Sequence, residues 1–197
     1  MTRRTIASGI LTLACIQFLG CSGRKAELDA QGGKPMNESR FTVEHLRFTS
    51  DKPFGEVTAA FEARLGKFDP EVYKDLGEDG DPKAVRTRIE AMAGPSGFML
   101  FGKSDHGRLL RLVGQQRQAV QYVVGNPLFA VEMTRHAIGA SLYAPLRVLI
   151  YEANDGKTRI EYDRPSSLFG QFGDERVGRM AAALDQKLED LAATATR

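Results

Sequence analysis

The sequence predicts an α+β fold, a two-layer sandwich with helices packed on one face of a mostly antiparallel sheet. Strand-like runs in its second half are joined by connections of hairpin length, whereas parallel strands would need much longer crossovers. Between and after these runs, apolar residues recur every three or four positions, as in amphipathic helices. A length of 197 residues suits one domain, which we expect over residues 40–197.

The first half of this domain is predicted to contain one strand and two helices. Residues 41–49 are rich in β-branched and aromatic side chains, which is typical of a strand. The apolar stripe of the helix that follows is Phe54, Val57, Phe61 and Leu65. Residues 69–81 hold six acids against one lysine and are expected to be a solvated insertion. Pro82 suits the first turn of the second helix. The apolar residues of that helix are Val85, Ile89 and Met92.

The centre of the chain is predicted to form three consecutive strands and a helix. The strands are residues 98–103, 108–113 and 118–124. Their separators, Ser104–Gly107 and Gly114–Arg117, have hairpin length. Asn126 is a good helix cap ahead of Pro127. The core-facing residues of the capped helix are predicted to be Phe129, Met133, Ala137 and Ile138.

The last third is predicted to be a hairpin followed by a long helix. Residues 146–152 and 157–163 flank the turn Asn154-Asp155-Gly156. Alternate residues of the second strand, Thr158, Ile160 and Tyr162, share one side, so one face of the sheet is covered and the other wet. Residues 174–192 form an amphipathic helix. Its stripe is Val177, Met180, Ala181, Leu184, Leu188 and Leu191.

The N-terminus has the pattern of an export signal over residues 1–20. Arg3 and Arg4 precede an uncharged run too short to be typical of a transmembrane helix. The run ends in Phe18-Leu19-Gly20-Cys21, which resembles the lipobox of bacterial lipoproteins, and this resemblance implies that Cys21 is diacylated. Residues 21–39 are then a lipid-anchored flexible tether. A non-lipidated signal or an N-terminal membrane anchor remains the alternative.

These features predict a cell-envelope protein held to the membrane through Cys21. We expect it in the periplasm, and Ser22 after the cysteine favours the outer membrane. Both Sec and twin-arginine export remain open. Removing residues 1–20 takes away Arg3 and Arg4 and no acid, which leaves 25 basic against 25 acidic residues. The neutral overall balance leaves no electrostatic case for binding of nucleic acid or anionic lipid by the domain as a whole.

Six short motifs follow one another in an order typical of one bacterial family. They are Asp105-His106, Gly125-Asn126-Pro127, Met133, Pro145-Leu146-Arg147, Asp155-Gly156 and Tyr162. In this ordered set the chain resembles the family known as domain of unknown function 302. The resemblance implies a TATA-binding-protein-like α+β sandwich but no reaction. The ligand-binding candidates at its motif positions are Asp105, His106, Gly125, Asn126, Arg147 and Tyr162.

Three functions are compatible with these residues. We expect non-catalytic binding of a small ligand near His106 and Asn126, or self-association, because the common nucleotide, zinc-protease and serine-hydrolase motifs are all absent. One alternative is an enzyme that uses Asp105 and His106 as acid and base. The other is a structural homodimer formed through the wet sheet face or through Phe169 and Phe172. No cofactor and no metal site is expected.

Lipidation of Cys21 is directly testable. Cells that express the full chain should incorporate labelled palmitate into it, and Cys21→Ala should abolish the label because that thiol carries the acyl groups. Gel fluorography detects the label, and a variant that is still labelled would refute the assignment.

Overall fold

Six strands form a single sheet in the computed structural model, which describes residues 37–77 and 79–197. They are β1 (His45–Ser50), β2 (Gly66–Lys67), β3 (Met99–Asp105), β4 (Ala119–Gly125), β5 (Leu146–Glu152) and β6 (Thr158–Asp163). Their order across the sheet is β1-β6-β5-β4-β3-β2. Only the two-residue β2 runs parallel to its neighbour, so the sheet is mostly antiparallel. The predicted signal peptide, Cys21 and residues 22–36 of the predicted tether lie outside the described residues.

Helices precede, interrupt and follow the strands. The α-helices are α1 (Phe54–Glu62), α2 (Pro82–Met92), α3 (His106–Leu110), α4 (Pro127–Thr134), α5 (Pro165–Phe169) and α6 (Glu175–Thr196). Short 3-10 helices cover Pro70–Leu76, Arg111–Val113, Ile138–Tyr143 and Gly170–Phe172. Residues Arg40–Arg197 make one compact unit.

One face of the sheet is buried under α1 and α6. Alternate strand residues, among them Val148, Ile150 and Ile160, are fully buried there and belong to one core cluster with Val57 and Phe61 of α1. The buried residues of α6 are Val177, Ala181, Leu184, Leu188, Leu191, Ala192 and Ala195. The alternation predicted for residues 158–162 is confirmed, and with it the α+β two-layer class.

The strand predicted over residues 108–113 is wrong. The chain leaves β3 through α3 and the 3-10 turn Arg111–Val113, so Ser104–Gly107 is not a hairpin turn either. Asp105 caps α3 by accepting the backbone N–H of Arg108 at 2.8 Å. Gly107 lies against the chain at Arg117, where a Cβ would stand 2.3 Å from the carbonyl oxygen. This close approach fixes the helical turn to the start of β4.

Two further expectations are corrected in part. Ile138 was predicted to face the core, but α4 ends at Thr134 and Ile138 begins a 3-10 helix with its side chain 79% exposed. The described residues of the stretch 69–81 are exposed, as expected of a solvated insertion, except Val72 and Gly80. Val72 is fully buried in a second cluster with Val85, Ile89 and Met99. Packing against α2 and β3 therefore holds this acidic segment.

Glu44, the residue before β1, is held in place by hydrogen bonds and an ion pair. The backbone N–H of Glu44 donates to Ser167 Oγ at 3.0 Å, and its carbonyl accepts the N–H of Arg164 at 2.8 Å. The Arg164 guanidinium also donates to the Glu44 carboxylate at 2.7 Å. These contacts join the start of β1 to the turn between β6 and α5. Among the described residues, no helix has both the length and the apolar character to cross a bilayer.

The packing of α6 makes a measurable prediction. Leu188 is fully buried, so Leu188→Ala should lower the free energy of unfolding by about 2–5 kcal/mol through lost contacts and the cavity left behind. Urea denaturation followed by circular dichroism would measure it. Gln186→Ala, on the exposed side of the same helix, should change stability by less than about 0.5 kcal/mol. Equal effects at both positions would contradict the assigned helix face.

Candidate functional site

The residues predicted to form one ligand site lie in separate places. Asp105 pairs with Val120 at one end of the β3–β4 ladder, and Met99 pairs with Gly125 at the other. Val120 and Gly125 are five residue steps apart along β4, or about 17 Å at 3.4 Å per residue. The predicted ligand site near both His106 and Asn126 is therefore not one site.

Asp105 and His106 do not form a hydrogen-bonded pair. One carboxylate oxygen of Asp105 accepts the capping hydrogen bond of α3, and the other lies 3.9 Å from Arg108 Nε. His106 is exposed and borders a shallow groove over the wet face of the sheet, with Gln121, Tyr151 and Glu161. The geometry gives no support to an Asp105–His106 acid–base dyad.

Arg147 and Tyr162 also lie apart from each other. Arg147 is exposed on β5 opposite Val123, on the wet face. Tyr162 is buried under the helices, where its ring stacks on Phe48 with centroids 6.1 Å apart. No described residue hydrogen-bonds the Tyr162 hydroxyl. Burial, with the nearby Glu189 carboxylate, raises its pKa. Tyr162 is thus a core residue of the fold.

Gly125 and Asn126 do border a cavity, which we name the Pro145 cavity. It lies where β4 ends, between α4 and the residues that lead into β5, and has a volume of about 130 Å³. Five aromatic rings line it, those of Tyr73, Phe98, Phe101, Phe129 and Phe169. Gly125 allows Pro145 and Phe101 to approach β4 closely, because a Cβ at position 125 would stand 3.2 Å from Pro145 Cβ and 3.5 Å from Phe101.

The one side-chain amide that lines the cavity, that of Asn126, makes two hydrogen bonds within the protein. Asn126 Oδ1 accepts the N–H of Leu128 at 2.9 Å, which caps α4, and Nδ2 donates to the Gly97 carbonyl at 2.9 Å. The predicted cap is confirmed, and these two bonds leave one of the two Nδ2 hydrogens without a partner in the protein. Tyr73 contributes a phenol, and burial raises the pKa of that hydroxyl so that it stays neutral. The cavity is therefore suited to an apolar guest.

A second cluster, which we name the open-face cluster, was not predicted from the sequence. It consists of His45, Arg47, Tyr151, Glu161 and Asp163. Glu161 is at its centre: it accepts the Tyr151 hydroxyl at 2.7 Å, the Arg47 guanidinium, and His45 Nε2 at 3.3 Å. His45 Nδ1 lies 3.0 Å from Asp163 Oδ1. Asp163 is directly opposite His45 and Glu161 is directly opposite Arg47. His45 and Tyr151 each reach Glu161 diagonally, two residues along the neighbouring strand.

The open-face cluster favours the charged forms of its members. The hydrogen bond to Asp163 is the largest influence on His45 and raises its pKa, burial opposes this, and the Glu161 hydrogen bond adds to it. For Glu161, burial acts to raise the pKa, yet the hydrogen bonds from Tyr151, Arg47 and His45 together outweigh it and the pKa is lowered. The cluster thus places an imidazole whose charged form is favoured beside the Glu161 and Asp163 carboxylates. Its chemistry is that of an ion-pair network joining three strands.

The described part of the chain contains no group of three or more histidine, cysteine, aspartate or glutamate side chains placed to hold a metal ion. The acids of the segment 69–81 lie partly in ion pairs, such as Asp75 with Arg88. No metal ligand set can be named from these side chains.

Comparison with known proteins gives a family and a fold. A family model described as "Domain of unknown function DUF302" matches residues 74–195. The chain is also similar to the crystal structure of an uncharacterized conserved DUF302 protein from Bacillus stearothermophilus, with a TM-score of 0.54. That likeness covers 78% of this chain and 98% of the other at 18% identity, and it shows the fold alone. No curated protein matches the chain. The TATA-binding-protein-like description of the fold stays a prediction.

The open-face cluster predicts a specific pH dependence. Because the pKa of His45 is raised above 6.5 by folding, its stabilising contribution is complete below pH 6.5 and is lost as the pH rises through the folded-state pKa. The His45 side chain is half exposed, so screening limits the effect to about 0.2–1 kcal/mol.

Thermal unfolding of the natural chain and of His45→Gln from about pH 6 to pH 9 tests this linkage. The natural chain should be the more stable at the acid end, and the difference should shrink toward the alkaline end. His136→Gln, at a histidine without a carboxylate ion pair among the described residues, is the control for replacing an imidazole elsewhere in the fold. A difference for His45→Gln that does not change with pH would show that its ion pairs contribute nothing.

Proposed function

Because the chain belongs to the DUF302 family, whose function is unknown, we propose a function from its own site: non-catalytic binding of a small apolar ligand in the Pro145 cavity. The domain would do this in the bacterial cell envelope, held by acyl chains on Cys21 and by the tether of residues 21–39. The observation that carries the proposal is an aromatic-lined cavity of about 130 Å³ beside Gly125.

The size and lining of the cavity support an apolar ligand. An enclosed apolar protein cavity of about 150 Å³ stays free of water and accepts benzene. The Pro145 cavity has nearly that volume and a largely apolar lining, but it opens to solvent beside Tyr73, which is 45% exposed, and the Asn126 amide at its wall is hydrogen-bonded within the protein. Rings such as Phe98 and Phe129, which pack edge to face at 6.2 Å, offer both faces and edges to a guest. A single aromatic ring or a short hydrocarbon fits this description.

The cavity is built from elements that hold it open. Gly125 and Asn126 end β4 and begin α4, Pro145 precedes β5, and Phe169 and Leu184 come from α5 and α6. Phe101 is fixed from behind by Phe68, whose ring stacks on it at 4.2 Å. A cavity whose walls come from seven elements is preorganised, so ligand binding need not order the protein first.

The alternatives have less support from the geometry. An enzyme based on Asp105 and His106 would need the two side chains to interact, and Asp105 is instead the cap of α3. For a homodimer, Phe169 is buried beneath the helices and offers no contact surface. The wet sheet face remains the place where two copies would meet. Its polar side chains, however, are largely paired within the open-face cluster.

The envelope location is supported by the sequence of residues 1–21. A basic start, an uncharged run and a cysteine after Leu19-Gly20 are the parts of a lipoprotein signal. Two acyl chains on Cys21 would anchor the chain firmly, since one chain alone binds a membrane only marginally.

Benzene is a suitable probe of the Pro145 cavity. At about ten times its Kd, it should stabilise the folded chain of residues 22–197 by about 1.4 kcal/mol, because it binds only the folded state. For a protein of this size that corresponds to a rise in Tm of about 3–6 °C. Thermal unfolding by circular dichroism, with benzene held in a sealed cell, measures the shift.

A matched pair of variants separates cavity binding from a general solvent effect. Ala130→Leu fills the cavity and should remove most of the benzene-induced shift, while Ala182→Leu, on the exposed side of α6, should keep it. Equal shifts in the two variants, or no shift in the natural chain, would argue against a ligand in this cavity.

Native mass spectrometry of the same chain reports whether it is a monomer or a dimer.

A further inference from the structure

The segment that leaves β3 exposes three large apolar side chains on one turn. Leu109 is 58% exposed, Leu112 is 86% exposed and Val113 is 69% exposed. Leu112 is the most exposed large apolar residue in the described part of the chain. We call these three residues, with Arg108, Arg111 and Arg117, the α3 tip. Isolated apolar residues on a surface are ordinary, but a contiguous group marks a contact site.

The three apolar side chains point to one side because of their spacing. Residues three and four apart share a face of a helical turn, which groups Leu109 with Leu112 and Val113. The other side of the turn faces the protein: Gly107 is buried at Arg117, and Leu110 is half-buried beside the His106 groove. The turn ends at Gly114, whose φ of +73° turns the chain back toward β4. The fold therefore holds the apolar group outward.

The same segment is strongly cationic. Residues 106–117 contain three arginines and no acid, in a mature chain with equal numbers of basic and acidic residues. Arg108 has Asp105 at 3.9 Å, while Arg117 donates to the neutral Asn154 side chain. Within the described residues, neither Arg111 nor Arg117 has a carboxylate ion-pair partner. The local charge is thus available to an anionic surface.

We propose that the α3 tip inserts into an anionic lipid surface. Leu109, Leu112 and Val113 enter the boundary between headgroups and acyl chains, and the arginines contact lipid phosphates. This combination of an apolar group with flanking arginines is that of interfacial membrane segments. A protein partner fits less well, because a stable interface buries about 800 Å² on each side and one helical turn offers far less.

This interaction goes beyond the proposed function and does not depend on it. The α3 tip lies at the Asp105 end of the β3–β4 ladder, and the Pro145 cavity lies at the Gly125 end. A bilayer could therefore hold the tip while the cavity remains accessible. The contact also does not require acylated Cys21, since it is made by the folded domain itself.

The absence of tryptophan from the sequence provides a clean reporter. The full chain with Leu112→Trp, reconstituted with mixed phosphatidylcholine–phosphatidylglycerol vesicles, should show blue-shifted emission and strong quenching by lipids brominated on their acyl chains. Leu142→Trp is the matched control: it is 81% exposed, in the 3-10 helix Ile138–Tyr143. It should be quenched several-fold less. Because both chains carry the same N-terminus, anchoring through Cys21 alone cannot produce the difference.

A charge reversal tests the role of the arginines. In the Leu112→Trp chain, Arg108→Glu, Arg111→Glu and Arg117→Glu together should remove the quenching while the far-ultraviolet circular dichroism stays unchanged. High salt should weaken the natural contact, since it shortens the screening length from about 8 Å to about 3 Å. Quenching of Leu112→Trp no greater than that of Leu142→Trp would overturn the proposal. Equal quenching in pure phosphatidylcholine vesicles would overturn its anionic part.

Discussion

The burial of one sheet face under α6 is the constraint on which the rest of this structure depends. A sheet with one wet face must bury its other face, and α6, at 22 residues and about 33 Å, is long enough to cross several strands. Its buried stripe alternates leucines with alanines such as Ala181 and Ala192, which let the helix approach the strands closely. Because α6 and α1 supply this cover, the opposite face over β1, β6 and β5 is left free for polar side chains, whereas Met99 of β3 packs with α2. The open-face cluster occupies that free face.

The same one-sided cover separates the functional features of the domain. Helical cover leaves the two ends of the β3–β4 ladder as the places where the chain departs from the sheet. At the Gly125 end, α4 and Pro145 diverge enough to leave a cavity, whereas at the Asp105 end a short turn projects its leucines. The proposed apolar ligand and the proposed lipid surface would thus bind at opposite ends of the same β3–β4 ladder. Neither contact needs a change in the core.

Elements governed by local signals were predictable from the sequence, and elements governed by distant contacts were not. The stripe of α6, the cap at Asn126 and the turn at Gly156 depend on neighbouring residues and were found where expected. Residues 108–113 were predicted to be a short strand but form a helical turn, whose close approach at Gly107 to Arg117 is a contact that the local sequence does not signal. Gly125 and Asn126 were found through a family resemblance, yet the cavity beside them needs residues from seven elements. The His45–Glu161 contact depends on the β1–β6 register, for which the sequence carries no local signal.

The fastening of Glu44 has a mechanical consequence. Glu44, just before the edge strand β1, is held by one backbone–backbone hydrogen bond and one ion pair with Arg164, and by a hydrogen bond from its backbone N–H to Ser167 Oγ of α5. A pull that reaches Glu44 loads these contacts in parallel before it reaches the ladder between β1 and β6. Along the strand direction the ladder bonds share the load in shear, whereas a sideways pull breaks them one at a time from His45. The resistance of the domain to force is therefore directional.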